Sequence, residues 1–186
     1  MQTASVISDW LRDQTAAFLA MRDQAVVSWH GVEMAVRGGD DEGIPEYDGP
    51  DVPCLQLLVL DAVNSEGQAV TITTYQNDMT FGMWVNPGAI GDREDWGCGY
   101  RRRTLTELPA GPIREVEVYL DDCVVAEVRF HIGDRELLLI AGELREDWSG
   151  RFEWYRLDES VLVFTDPGAA EALQWVPRRG TLRRIG

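Results

Sequence analysis

The chain has 186 residues, of which 45% are hydrophobic, and its formal net charge is −15 at pH 7. This length and hydrophobic share fit one globular domain with a substantial core and argue against general disorder. The negative charge repels nucleic acid and anionic membranes, so we expect neither as a partner; it attracts basic proteins and cations.

The residue types narrow the chemistry. All 17 basic residues are arginines, which excludes lysine Schiff-base chemistry and the phosphate-loop lysine and is typical of a GC-rich bacterial genome. The start of the chain does not resemble a secretory signal, and no apolar run has the length of a membrane span. Cys54, Cys98 and Cys123 form no CxxC pair, which is typical of reduced thiols in the cytoplasm.

The first half of the chain combines one helix with strands. Apolar residues recur at helical spacing over 4–23, which predicts an amphipathic helix. The period then changes, and 25–37 is predicted to form a strand. Residues 38–53 form an acidic loop rich in glycine and proline, and 54–63, 69–75 and 79–85 are predicted strands.

The second half predicts an antiparallel meander followed by a short helix. Acidic or glycine turns separate five short apolar runs between 113 and 164. Asp166 and Pro167 have the residue types of a helix cap and first turn, and 178–186 is a basic tail. We therefore predict a single α+β domain over 1–186: an N-terminal amphipathic helix, a mostly antiparallel sheet and a short C-terminal helix.

The hairpin over 113–132 suggests a metal site. If Leu120 lies opposite Val124, Glu117 meets Glu127 on the other face, and like charges in opposition are destabilising. A cation would relieve this conflict, so His131, Glu117 and Glu127 are predicted ligands for a divalent metal. The alternative is a solvated sheet face with ordinary charge pairs.

The tetrapeptide Arg-Glu-Asp-Trp occurs twice, at 93–96 and at 145–148. The flanking sequences agree only loosely, so we do not interpret it as a functional repeat. Tryptophans in acidic turns are nevertheless suitable anchors for a basic partner, unless both rings fold back over the sheet edge. The predicted partner-binding residues are Asp40, Asp41, Glu42, Asp48, Asp95, Trp96, Asp147 and Trp148.

Other motifs for chemistry are weaker. Cys98 lies between two glycines, as a nucleophile in a tight turn would, but His30 and His131 are the only histidines that could serve as its base. The alternative for Cys98 is a small residue in a bend. The loop 38–53 lacks the residue order of an EF-hand calcium site, so a solvated acidic loop is the better interpretation.

These patterns predict a non-enzymatic, cytoplasmic protein, without a cofactor, that covers a basic protein partner. The most concrete version is a bacterial immunity or antitoxin-type inhibitor of a toxin domain. The alternative is a small metal- or ligand-binding domain or enzyme that uses the sheet face around His131. A third hypothesis is that the tail docks onto a neighbouring subunit through Arg178, Arg179, Arg183 and Arg184.

Overall fold

The computed structural model describes residues 8–38, 43–89 and 97–185. The α+β prediction is wrong: the protein is mostly β, with 54% strand and 10% helix.

No helix among the described residues is long and apolar enough to cross a membrane. In chain order the elements are α1 (Asp9–Leu19), β1 (Ala25–Met34), β2 (Leu55–Asn64), β3 (Ala69–Asn77), β4 (Thr80–Pro87), β5 (Tyr100–Thr104), β6 (Gly111–Asp121), β7 (Val124–Ile132), β8 (Arg135–Glu146), β9 (Phe152–Arg156), β10 (Ser160–Phe164), α2 (Pro167–Glu171), β11 (Trp175–Val176) and β12 (Arg183–Ile185).

Helix α1 is shorter than the predicted helix over 4–23. The hydroxyl of Ser8 accepts a hydrogen bond from the backbone N–H of Leu11 at 3.1 Å, which caps the first turn. The helix ends at Leu19 and buries Leu11 and Phe18 against the main core. One helix of this size covers part of a β core and does not form the helical layer of an α+β fold.

Six strands close into a barrel, in the order β1, β2, β10, β8, β7, β6 and back to β1. Every pairing around this ring is antiparallel. Strands β3 and β4 extend from β2, and β9 and β11 extend from β8. Strand β5 pairs with β1, and β12 pairs with β6.

Strand β10 closes the barrel and is the reason that the predicted meander is incomplete. It does not pair with β9; instead β9 and β10 each pair with β8, where Gly142 lies opposite both Arg156 and Ser160. The other edge of β10 pairs with β2. All five residues of β10 are buried, because one face points into the barrel and the other is covered from outside.

Two apolar clusters hold these layers together. The larger one fills the barrel and includes Trp29 and Phe130, whose rings meet edge to face at a centroid distance of 6.4 Å. The smaller cluster lies outside β8 and β10, where Trp154 and Trp175 cover Leu138 and Ile140. The cover over this outer face comes from β9, β11 and α2. Helix α2 has Asp166 as its N-cap and Pro167 in its first turn, as the sequence predicts.

Candidate functional site

Arg37, just beyond β1, joins two regions that the sequence separates by about a hundred residues. Its backbone pairs with Glu46 in the acidic loop, and the N–H of Glu46 donates to the carbonyl of Arg37 at 2.8 Å. Its guanidinium donates to Glu146 at 3.0 Å and to the carbonyl of Gly150 at 3.2 Å. The acidic loop and the second Arg-Glu-Asp-Trp turn therefore lie side by side.

We call this region the β1-end surface and define it as residues 36–38, 43–53, 97–99 and 146–151. The segment 97–99 belongs to it because the N–H of Ala35 donates to the carbonyl of Gly99 at 2.7 Å. The first Arg-Glu-Asp-Trp motif directly precedes this segment in sequence, but Asp95 and Trp96 lie outside the described residues, as do Asp40, Asp41 and Glu42.

Trp148 occupies the most exposed position of the β1-end surface. Its side chain is 99% exposed, so this ring does not fold back over the sheet edge. The turn that carries it is held by Asp147, whose Oδ1 accepts hydrogen bonds from the N–H and hydroxyl of Ser149 and from the N–H of Arg151 at 2.6–3.0 Å. A fully exposed indole on an internally bonded turn loses little conformational freedom when it is buried by a partner.

The same hydrogen bonds lower the pKa of the Asp147 carboxyl group. Donation from the hydroxyl of Ser149, followed by that from the N–H of Arg151, lowers the pKa of Asp147 to about 2. The carboxylate is therefore ionised at all physiological pH values, and Arg151 also lies 3.3 Å from it. The turn thus keeps its shape across the physiological pH range.

The described part of the acidic loop adds a second exposed apolar side chain and an exposed acid. Ile44 is 89% exposed, and Asp48 is exposed. The ring of Tyr47 stacks below the guanidinium of Arg101 at 4.0 Å, which attaches the loop to β5. This surface therefore combines apolar anchors with acidic side chains, as a site for a basic protein requires.

A cleft of about 700 Å³ lies beside the Trp148 turn, between β9 and the α2–β11 segment. Its walls contain the indoles of Trp154 and Trp175 and six charged side chains. Three of these are arginines and three are carboxylates: Arg151, Arg178, Arg179, Asp147, Glu153 and Glu171. Balanced charge of this kind favours a segment of polypeptide over a ligand with one dominant charge.

The predicted metal site changes because the hairpin register differs from the expected one. Asp121 lies opposite Val124, so the turn contains two residues, and Asp122 adopts a positive φ of 52°. A bulge after Tyr119 then moves the pairing further along the strands. As a result Glu117 faces Arg129 and not Glu127, and the like-charge conflict does not occur.

Of the three predicted metal ligands, the structure brings two together. Glu115, Glu117 and His131 place one ligand atom each within 4.8 Å of one another, so Glu115 takes the place expected for Glu127. Arg184 lies 2.9 Å from Glu115 and 2.8 Å from Glu117. A cation at this position therefore competes with an arginine of the same chain.

Glu127 belongs to a buried ion network instead. It is fully buried and accepts two hydrogen bonds from Arg179, one of them at 2.7 Å. Arg156, equally buried, lies 3.6 Å from Glu127 and 3.3 Å from Asp121. The hydrogen bond to Glu127 raises the pKa of Arg179.

The basic tail therefore docks on its own chain. Arg179 contacts Glu127, Arg184 contacts Glu115 and Glu117, and β12 pairs with β6 through 183–185. Of the four tail arginines named above, Arg179 and Arg184 thus have carboxylate partners within the chain.

Cys98 gains no catalytic partner within the described residues. It is exposed with a positive φ of 50°, which fits the alternative of a bend. His30 lies 3.3 Å from the hydroxyl of Ser28 and 3.2 Å from that of Thr104, and His131 contacts Glu136 at 3.4 Å. Neither histidine is hydrogen-bonded to Cys98 as an activating base would be.

Sequence reasoning missed Arg37 and Ile44, which complete the β1-end surface. No local pattern marks Arg37, since its role depends on a contact with Glu146 more than a hundred residues away. Ile44 could have been found as an apolar residue isolated in an acidic, glycine-rich loop.

Comparison with known proteins provides no guide: no family model, curated protein or solved structure matches this chain.

Proposed function

We propose that this chain is a non-enzymatic binding protein that covers a basic protein partner with its β1-end surface. The observation that carries the proposal is Trp148, a 99% exposed indole on a turn held by Asp147. Tryptophan is among the residues most often found at the energetic centre of protein interfaces. A soluble domain gains nothing for its own stability from an indole in this position.

The negative charge of the chain supports the proposal that its partner is a basic protein. The chain has a net charge of −15, and Asp48 and Glu46 lie exposed beside the Trp148 turn. Such a surface accelerates encounter with a cationic protein and repels acidic ones. We include Asp40, Asp41, Glu42, Asp95 and Trp96 in the proposed surface, because each is close in sequence to a described part of it.

The most concrete form of this function is that of a bacterial immunity or antitoxin-type protein, which blocks a toxin domain by covering it. A cytoplasmic location is part of the proposal, because all three cysteines are free, as is usual in a reducing compartment.

The test is capture of partners from lysate of the native host at low and at high salt, with the wild type, Trp148→Ala and Met79→Ala as baits. Met79 is 91% exposed in the β3–β4 turn and provides a matched control for loss of an exposed apolar side chain. We expect one basic protein to be retained at low salt by the wild type and by Met79→Ala. With that protein purified, Trp148→Ala should weaken binding about 30-fold, the equivalent of about 2 kcal/mol at an interface centre.

Equal binding by Trp148→Ala would show that the turn is not the contact site. A captured protein with net negative charge would contradict the electrostatic part of the proposal. Charge reversal at 40–42 combined with Trp96→Ala then measures how far the surface extends beyond the described residues.

A second candidate function, binding of a divalent cation, is supported by the approach of Glu115, Glu117 and His131 to within 4.8 Å. Because Arg184 already pairs with both carboxylates, this function predicts a metal effect that grows when Arg184 is removed. Zinc or manganese should raise the melting temperature of Arg184→Ala more than that of the wild type, and His131→Ala should abolish the rise. No shift with either ion in Arg184→Ala would exclude the site.

A further inference from the structure

A second cleft, of about 500 Å³, lies at the other end of β1 from the proposed partner surface. Ala25 and Val26 line it, whereas the β1-end surface lies beyond Met34, about 30 Å further along the strand at the usual rise per residue. Its floor is the barrel core itself, formed by Met21, Val26 and Ile113. The mouth of a closed barrel is a common position for a small-molecule site.

The lining of this cleft differs from the rest of the molecule in its chemistry. None of the described residues that line it is ionisable, although 26% of the chain is charged and the cleft beside Trp148 has six charged side chains. A charged ligand entering this cleft would lose hydration and find no counter-charge. The cleft therefore selects for an uncharged ligand.

Space in the cleft comes from small residues, Ala25 and Ala69, on two of its walls. Both are partly exposed, so a larger side chain at either position would extend into the cleft and leave the barrel core in place. The volume is within the range that encloses a drug-sized molecule.

Amide side chains supply the polar groups on the lining. Asn64 Oδ1 accepts from the N–H groups of Glu66 and Gln68 at 2.9 Å, and Asn64 Nδ2 donates to Gln68 Oε1 at 3.3 Å. These contacts orient the exposed Gln68, whose Nε2 group donates to no protein acceptor within the described residues. It is available for a carbonyl or hydroxyl oxygen of a ligand.

We propose that this cleft binds a small, uncharged and mainly apolar molecule that carries an oxygen acceptor for Gln68. The site is independent of the proposed partner-binding function, since it lies at the opposite end of β1 and uses different residues. An uncharged ligand bound here would reach the apolar floor without disturbing any ion pair of the described residues.

The test is a fluorescence titration of the full chain with the neutral dye 6-propionyl-2-(dimethylamino)naphthalene, which carries a carbonyl oxygen, and the anionic dye 1-anilinonaphthalene-8-sulfonate. We expect saturable, one-to-one binding of the neutral dye and at least tenfold weaker binding of the anionic dye. Ala69→Phe, which fills the cleft, should weaken binding of the neutral dye at least tenfold. Val27→Phe, on an exposed position of β1 outside the cleft, should leave it unchanged.

Three results would overturn the proposal: no saturable binding of the neutral dye, equal or tighter binding of the anionic dye, or unchanged binding by a folded Ala69→Phe variant. Cooperative thermal unfolding verifies that each variant is folded. If Ala69→Phe does not fold, Ala25→Phe fills the same cleft from β1 and is held to the same criterion.

Discussion

Three buried glutamates on the strands differ in their surroundings from the exposed Asp48 of the acidic loop. Each of three buried strand glutamates contacts two arginines: Glu33 contacts Arg101 and Arg103, Glu117 contacts Arg129 and Arg184, and Glu127 contacts Arg156 and Arg179. In the acidic loop, Asp48 has no ion pair among the described residues and lies exposed. Six of the 17 arginines thus pair with these three strand glutamates, whereas Asp48 keeps an exposed charge.

Net charge alone is therefore a poor guide to where a partner binds, because many charged side chains already form ion pairs within the chain. The sheet face over β6 and β7 has three glutamates, Glu115, Glu117 and Glu127, but is largely neutralised by Arg129, Arg179 and Arg184. Asp48 in the acidic loop has no such counter-charge among the described residues. Variants of the two classes should therefore differ in what they change: stability for the strand class, binding for the loop class.

The largest effect on stability is expected for Glu127→Gln. The substitution keeps the shape of the side chain but leaves Arg156, which is 1% exposed, with only Asp121 as a counter-charge. Breaking a buried pair on one side costs about 3–5 kcal/mol. Urea unfolding at pH 7 measures the free energy of unfolding; a loss below about 1 kcal/mol would mean that Arg156 reaches water and that the network is not closed.

Glu33→Gln should have a smaller effect and so sharpens the comparison within the strand class. Glu33 is 2% exposed, but Arg101 and Arg103 are 44% and 30% exposed and can be hydrated when their partner is neutralised. We expect a loss of about 1.5–3 kcal/mol, which is typical of hydrogen bonds to a charged group. The same unfolding measurement applies, and a loss larger than that of Glu127→Gln would contradict the ranking by arginine burial.

The smallest effect on stability concerns a turn carboxylate, Asp147, and is a dependence on pH. Its pKa in the folded state is lowered to about 2, below the ordinary value of about 3.9, so its contribution is present above the ordinary value and is lost as the pH falls through about 2. Ser149→Ala removes the hydroxyl that is the main cause and should raise the midpoint toward 3.9. Carbon-detected NMR titration of the carboxyl group measures both midpoints.

An unchanged midpoint in Ser149→Ala would assign the shift to the backbone donors of the turn alone. A wild-type midpoint near 3.9 would show that the hydrogen bonds to Asp147 do not persist in solution. In that case Trp148 would lose the ordered support on which its role as an anchor depends.

Local signals predicted individual elements well. Runs of alternating or continuous apolar residues marked β2, β3, β4 and the strands β6 to β8, and Asp166 with Pro167 marked the start of α2. These features depend on residues that are adjacent in sequence, so periodicity and capping chemistry report them directly.

The predictions that were wrong concern features that depend on contacts between residues far apart in the sequence. Nothing in Ser160–Phe164 indicates that it pairs with β2, although its uninterrupted apolar run was a signal that both of its faces are buried. The bulge after Tyr119 shifts the pairing of β6 with β7, and periodicity does not show where a bulge falls. The α+β prediction failed because a single helical pattern was given the weight of a layer.

The candidate site was predicted in part. The second Arg-Glu-Asp-Trp turn and the acidic loop were each identified from composition, but their junction through Arg37 could not be, because it is a contact between distant segments. Of the residues named for the metal site, Glu117 and His131 lie close together, whereas Glu127 lies with Arg156 and Arg179, which are 29 and 52 positions away in the chain.

Because β10 closes the barrel, it also determines when the barrel can form during synthesis of the chain. Val161 lies opposite Leu57, so the ring of six strands cannot be completed until about a hundred further residues have followed β2 out of the ribosome. Until then β2 and β8 each present an unpaired, apolar edge to the cell. Long-range closure of this kind is slow compared with hairpin formation. The nascent chain therefore passes through a period in which chaperones have access to the edges that the finished barrel conceals.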